Sequence, residues 1–216
     1  KLKKNYGSKE AVKEISFNIE EDQILGLLGP NGSGKTTTIG MLLGLLKPTA
    51  GEIKIDKMDF EVNKIDILSK INFISPYIEL PKKLTVKQNL TVYGKLYNIK
   101  NLKEQIEYLT EQLRLEELLN RVTGELSSGQ KNRVSLAKAL INKPKVLFLD
   151  EPTASLDPEI GDFVRSFLET YKKENKISIL LASHNMNEVT RLCKTVLMMK
   201  EGIIIDRGYP EELIKK

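Results

Sequence analysis

The chain has 216 residues, 40% hydrophobic and 29% charged, a balance that suits a folded core and excludes both a disordered chain and a membrane-embedded one. The net charge of +5 comes from lysines scattered along the chain, which reads as a solvated surface that also binds anionic phosphates rather than as a nucleic-acid tract. The longest apolar stretches, 24–28, 41–46 and 177–182, fall far short of the ~20 residues that cross a bilayer.

Near the start Ile15, Phe17 and Ile19 alternate with Ser16, Asn18 and Glu20, the period of a half-buried strand. Ile24–Leu28 is apolar without alternation, as in a parallel strand covered on both faces. A glycine-rich segment leads into 36–46, where Ile39, Leu42, Leu43 and Leu46 form one helical face before Pro48. Ile53 and Ile55 suggest a further strand. From about 84 to 141 the period becomes helical: Val86, Leu90, Tyr93 and Tyr97, then Leu102, Ile106, Leu109 and Leu113. Continuous strands return at 146–149 and 177–182 with a helical stretch at 159–173 between them, a βαβ unit. No signal peptide is visible, although Lys1 and not Met opens the chain. Cys193 is the only cysteine, which excludes a disulfide framework and points to a reducing compartment. With no internal repeat or flexible linker, 1–216 reads as one domain: a core lobe of about 1–75 and 145–216 carrying a helical subdomain of about 76–144.

Three segments carry chemistry. Gly29-Pro30-Asn31-Gly32-Ser33-Gly34-Lys35-Thr36 fits G-x-x-x-x-G-K-[ST] between a buried strand and a helix. Glycines let backbone N–H groups turn toward phosphates, and the helix N-terminus adds its dipole. Lys35 would reach the β and γ phosphates and the Thr36 hydroxyl would ligate Mg²⁺. A chance match arises in on the order of one chain in a hundred of this length, and the strand–loop–helix setting decides against it. Val146–Leu149 ends in Asp150-Glu151, at the strand end where α/β proteins bind ligands. Asp150 would hold Mg²⁺ through its water shell, and Glu151 would polarise the attacking water. Leu126-Ser127-Ser128-Gly129-Gln130 opens another helix. It reads either as a plain N-cap or as a second anion site, one more than a single nucleotide needs.

These segments, in this order and over essentially the whole chain, resemble an ABC-transporter nucleotide-binding subunit. Gly29–Gly51 is most similar to the subfamily paired with ABC-2-type exporters. The implied fold is α/β: a P-loop NTPase core with a mainly parallel sheet flanked by helices, an antiparallel β portion near the N-terminus, and an inserted helical subdomain. The resemblance implies ATP and Mg²⁺ as cofactors. ATP would be bound by Gly29, Pro30, Asn31, Gly32, Ser33, Gly34, Lys35, Thr36 and Thr37, with Tyr6 stacked on adenine. Thr36 and Asp150 would hold the metal, and Lys35, Glu151 and His184 would be catalytic. His184 is the only histidine and follows Glu151 by 33 positions, as the family's switch histidine would.

In the family two subunits stack head to tail. Ser127, Ser128, Gly129 and Gln130 would then cap ATP held by a second ATP-binding subunit, and Ala154-Ser155-Leu156-Asp157 resembles the loop that links the two sites. Ser128 replaces a family glycine, at a cost if its φ must be positive. The family glutamine is missing near Phe73–Tyr77. Pro76 occupies its nominal position, Gln88 lies too far along, and Ser75 and Glu79 both remain candidates. The implied partners are an ATP-dependent homodimer mate and a transmembrane permease. The permease would dock around Tyr77–Tyr97, where Tyr77, Ile78, Leu80 and Pro81 are either exposed apolar area or covered by the helices. The protein would then sit at the cytoplasmic face of the membrane, with no nucleic acid expected. An ABC ATPase acting on nucleic acid or ribosomes is the alternative, but it would carry a second such domain or a long coiled coil. A P-loop kinase or GTPase fits neither the Asp-Glu pair nor the lack of a guanine-reading Asn-Lys-x-Asp.

Overall fold

The structure, a computed structural model, describes residues 1–76, 78–154 and 156–213. An antiparallel pair, β1 (Leu2–Tyr6) and β2 (Lys9–Ile15), opens the chain. β3 (Ile24–Leu28) follows, every residue buried, and then α1 (Lys35–Leu42). The short pair β4 (Lys54–Ile55) and β5 (Met58–Asp59) precedes α2 (Lys64–Lys70) and β6 (Ile71–Ile74). Next come the helices α3 (Val86–Leu96), α4 (Leu102–Gln112) and α5 (Ser128–Leu140). β7 (Val146–Asp150), α6 (Pro158–Asn175), β8 (Ser178–Ser183), α7 (Met186–Leu192), β9 (Thr195–Lys200), β10 (Ile203–Gly208) and α8 (Pro210–Leu213) complete it.

The central sheet is six-stranded in the order β10-β9-β3-β8-β7-β6. All its pairings are parallel except β10 with β9, so only one edge strand runs backwards. Its two faces explain the unalternating runs. Ile24, Leu28, Leu147, Leu149, Ile179 and Leu181 pack into one apolar cluster with α3, α4, α5 and α6. Leu25, Leu27, Phe148, Leu180 and Ala182 pack into another with α1, α2 and the N-terminal strands. A strand between two cores has no polar face to show. β6 and β7 are neighbours in register, Phe73 opposite Phe148 and Ile74 opposite Leu149. The helices α3, α4 and α5 therefore leave and re-enter the sheet between adjacent strands.

Two expectations shift. The alternation at 15–19 is not a strand: β2 ends at Ile15, and Phe17 and Ile19 pack against the second cluster without a ladder. The helix expected over 36–46 stops at Leu42 because Gly44 takes φ 66°. Gly44 N–H then bonds Met41 O and Leu45 N–H bonds Gly40 O, which satisfies the last carbonyls and turns the chain away. No helix among the described residues is long and apolar enough to cross a membrane.

Candidate functional site

The parallel register brings three strand ends to one edge: Leu28 lies opposite Ser183, and Asp150 opposite Ala182. Two backbone bonds cross-link them, Gly29 N–H to Ser183 O at 3.4 Å and Glu151 N–H to Ala182 O at 2.8 Å. Residues 29–34 run from β3 into α1, whose N-cap is Gly34 at φ 108°. A Cβ on Gly29 would lie 2.2 Å from Met199 O, so only glycine passes β9 there. Lys35 is buried, and its Nζ donates to Gly29 O at 2.6 Å and Pro30 O at 3.2 Å. The ammonium thus sits at the loop's first turn, beneath the α1 N-terminus. Pro30, Asn31, Gly32 and Thr36 are exposed, Thr37 is half-buried, and the Ser33 hydroxyl is buried without a partner.

Asp150 is 1% exposed. Its Oδ2 accepts from Thr36 Oγ1 at 3.0 Å, while its Oδ1 is buried with no partner. Burial pushes the carboxyl up. The Glu151 charge adds to this, and the Thr36 hydrogen bond and the Lys35 charge oppose it. Glu151 takes φ 51°, a left-handed conformation costly for a side-chain-bearing residue and one that turns the chain sharply off the strand. His184 Nδ1 donates to Glu151 Oε1 at 2.8 Å, and Lys35 Nζ lies 3.8 Å from the same oxygen. An ionised carboxylate only accepts, so Nδ1 carries the proton in this geometry.

The arrangement joins backbone donors and an ammonium for phosphates, a carboxylate beside a histidine for water, and a hydroxyl paired with a buried carboxylate for a hard cation. Among the described residues no cluster of His, Cys, Asp or Glu could by itself ligate a metal ion. Thr36 and Asp150 fit an ion such as Mg²⁺, which takes few protein ligands and completes its shell with water and phosphate oxygens. The unpartnered Asp150 Oδ1 is the acceptor such a shell uses.

The remaining expected residues stand apart from this edge or take other partners. Ser127 caps α5, its hydroxyl accepting from Gln130 N–H at 3.3 Å while Gln130 Oε1 accepts from Ser127 N–H at 3.0 Å. These capping bonds join the two to each other and not to the loop 29–36. Ser128 is the first helical residue and lies outside the positive-φ set, so its backbone needs no glycine. Gly129 faces Ile160 of α6, where a Cβ would come within 3.3 Å. Asn132 Nδ2 donates to Pro152 O at 2.7 Å, tying α5 to the turn after Glu151. Tyr6 ends β1 with an exposed ring, the Lys4 ammonium 5.1 Å from its centroid.

Near the missing glutamine, Gln88 is committed to a capping box with Thr85 and Glu79 to an ion pair with Lys82 at 2.6 Å. Ser75 follows directly on Ile74, whose register partner Leu149 precedes Asp150. Pro76 is exposed. Of the apolar residues expected beneath a permease, Ile78 and Pro81 are exposed, but Leu80 is buried in the core with Val86 and Leu90. Tyr77 and Ser155 lie outside the described residues. Ala154 N–H bonds Glu151 O and Leu156 N–H bonds Thr153 O.

One residue at this edge belongs to no motif. Glu188, in the first turn of α7, is 2% exposed and accepts from Thr153 Oγ1 and from Ser183 Oγ, each at 2.7 Å. The only sequence signal is an acid four residues after His184.

A model of the ABC transporter family matches residues 12–154. The ABC transporter ATP-binding protein NatA of Bacillus subtilis is 36% identical over 207 residues, covering 94% of this chain and 84% of that protein. The bacitracin transport ATP-binding protein BcrA of Bacillus licheniformis is 38% identical over 218 residues, covering 100% of this chain and 70% of that protein. Among solved structures, a dimeric ATP-binding cassette in a post-hydrolysis state with ADP and Pi superposes with TM-score 0.85 at 25% identity, covering 97% of this chain and 95% of the other.

Proposed function

Since this chain belongs to the ABC transporter family as an ATP-binding, ATP-hydrolysing subunit, we propose that its catalytic work is divided as follows. The N–H groups of 29–36 and the start of α1 hold the phosphates, with Thr37 at the rim and Tyr6 against the adenine. Lys35 exchanges its two carbonyl acceptors for β and γ phosphate oxygens. Thr36 and Asp150 hold Mg²⁺, which when bound neutralises phosphate charge. Glu151 orients and polarises the attacking water, and His184 fixes that carboxylate and meets the γ-phosphate. The observation that carries this is the pair of contacts at Glu151 Oε1, His184 Nδ1 at 2.8 Å and Lys35 Nζ at 3.8 Å, directly after the buried Asp150 that ends β7.

The segment Ser127–Gln130 supplies a second helix N-terminus with exposed serines, and it acts on the ATP of a second copy. ATP therefore closes a homodimer and hydrolysis opens it. Exposed Ile78 and the exposed Val92 and Leu96 of α3 receive a transmembrane permease, which places the protein peripherally at the cytoplasmic face of the membrane. BcrA is named for bacitracin transport, and a transport role for the present chain follows that analogy.

The test is turnover and size by light scattering for Glu151→Gln, with and without Mg-ATP. Turnover should fall by about 10²–10⁴-fold, with ATP still bound and a monomer-to-dimer shift on ATP. Hydrolysis at the parent rate removes the role given to Glu151, and bound ATP without dimer removes the composite site.

A further inference from the structure

Two loops present the reacting side chains. Glu151 opens the turn after β7 that contains Thr153, and His184 directly follows Ser183 at the end of β8. The Glu188 carboxylate spans them, Oε1 accepting from Thr153 Oγ1 and Oε2 from Ser183 Oγ, both at 2.7 Å. Hydrogen bonds to an ionised acceptor are short and roughly twice as strong as neutral ones. At 2% exposure there is little water to compete for them.

Glu188 is itself held in place. Asn185 Oδ1 accepts from Asn187 N–H at 3.0 Å and Glu188 N–H at 3.4 Å, and Ser183 Oγ accepts from Asn185 N–H at 3.0 Å. The start of α7, the end of β8 and the turn after β7 are thereby one connected unit. Nothing in core packing asks for an acid here, since a buried carboxylate is costly unless its oxygens are satisfied. Its two oxygens accept from Thr153 in the turn after β7 and from Ser183 at the end of β8, the segments that lead to Glu151 and His184.

We propose that Glu188 is a positioning residue for ATP hydrolysis: it sets the separation of Glu151 and His184 by clamping Thr153 to Ser183. This rests on the catalytic roles proposed for those two residues. The Glu188 carboxylate bonds Thr153 and Ser183 and not the loop 29–36, so its loss should act on the chemical step and spare nucleotide binding.

The experiment is steady-state ATP hydrolysis by the full chain for Glu188→Ala, Glu188→Gln, Thr153→Val and the double variant Glu188→Ala/Thr153→Val. Misplacement of reacting groups by about 1 Å costs about a hundredfold. Glu188→Ala should therefore lose about tenfold to a hundredfold in kcat, with KM for ATP within about twofold. Glu188→Gln can hold both hydroxyls through a neutral amide and should recover most of that loss. Adding Thr153→Val to Glu188→Ala should cost nothing more, because both remove the same link. Parent kcat in Glu188→Ala overturns the assignment, as do multiplicative losses in the double variant or equal loss of ATP affinity and turnover. If Glu188→Ala does not fold, parent kcat in Thr153→Val overturns it, and a selective kcat loss there supports it. Glu151→Gln is run in parallel. If it retains turnover, the underlying site reading fails. If it loses turnover while the Glu188 and Thr153 variants do not, only the positioning role fails.

Discussion

Asp150→Asn should make the nucleotide-free protein more stable and the Mg-ATP-bound protein less so. The native carboxylate is 1% exposed and has one partnered oxygen, from Thr36 at 3.0 Å, and one buried oxygen with no partner. Burial and the neighbouring Glu151 charge raise its pKa against the pull of Thr36 and Lys35. Asparagine keeps the shape and can still accept from Thr36, but it carries no charge to desolvate. An unsatisfied buried group costs about 1–3 kcal/mol, and part of that cost persists because the new amide also needs a partner. A gain of about 1–2 kcal/mol is expected, or about 3–6 °C in thermal midpoint for a chain of this size.

The pH dependence has a definite sign. A carboxyl with a raised folded-state pKa binds more protons folded than unfolded between its ordinary and raised values, so its contribution falls as pH rises through that window. The advantage of asparagine over the parent should therefore be full at neutral pH and close as pH is lowered through the window. With ATP at a hundredfold over Kd the parent gains about 2.7 kcal/mol, and asparagine should lose the Mg²⁺-dependent part of that gain. The assay is thermal unfolding of both proteins at several pH values, with and without Mg-ATP. A lower nucleotide-free midpoint for Asp150→Asn, or equal Mg-ATP stabilisation of the two, refutes the reasoning.

Lys35→Ala removes the ammonium that rests on Gly29 O and Pro30 O. ATP affinity by equilibrium binding should fall at least about tenfold, the loss of one charged hydrogen bond, and unchanged affinity removes the phosphate-loop assignment. Gly29→Ala places a Cβ 2.2 Å from Met199 O; a backbone clash should cost about 2–3 kcal/mol in urea unfolding. Lys138→Met tests a half-buried lysine on α5 whose Nζ meets Asn72 Oδ1 at 3.3 Å, Phe73 O at 3.4 Å and the rings of Phe73 and Tyr93. Burial lowers its pKa to about 8. The folded state then binds fewer protons between about 8 and the ordinary lysine value, and stability rises with pH across that range. Methionine should abolish that rise in urea midpoints taken at pH 7.5 and pH 10.

The strands between two cores were legible because burial on both faces writes an unbroken apolar run, as in β3, β7 and β8. β6 was not, since Asn72 interrupts it. That side chain is buried only because Asn142 Oδ1, Phe73 N–H and the Lys138 ammonium supply its partners, and such long-range pairing is invisible locally. The short helices α2 and α7, seven residues each, are too brief for a helical period to show. Alternation misled at 15–19, where Phe17 and Ile19 reach the core without strand pairing. The segment 29–36 and the Asp150-Glu151 pair could be singled out in the sequence because each is local to one loop or one strand end. Glu188 was not, because its partners are 35 and 5 positions away and meet it only after β7 and β8 align.

The same alignment explains how the site is graded. Ala182 O takes Glu151 N–H and Ser183 O takes Gly29 N–H, so the last two residues of β8 are the ruler between the phosphate loop and the carboxylates. A displacement of β8's end would move both together. Side-chain exposure then rises outward, from Asp150 at 1% through Lys35 at 5% and Glu151 at 11% to His184 at 56%. Asp150, the innermost, is fixed by packing and cannot rearrange without cost, whereas the Lys35 ammonium is held by two loop carbonyls. His184, joined to Glu151 by one hydrogen bond and otherwise facing solvent, is the member free to respond to whatever closes over the edge. A site built this way holds Asp150 rigid in the core and leaves its most exposed member, His184, at the surface.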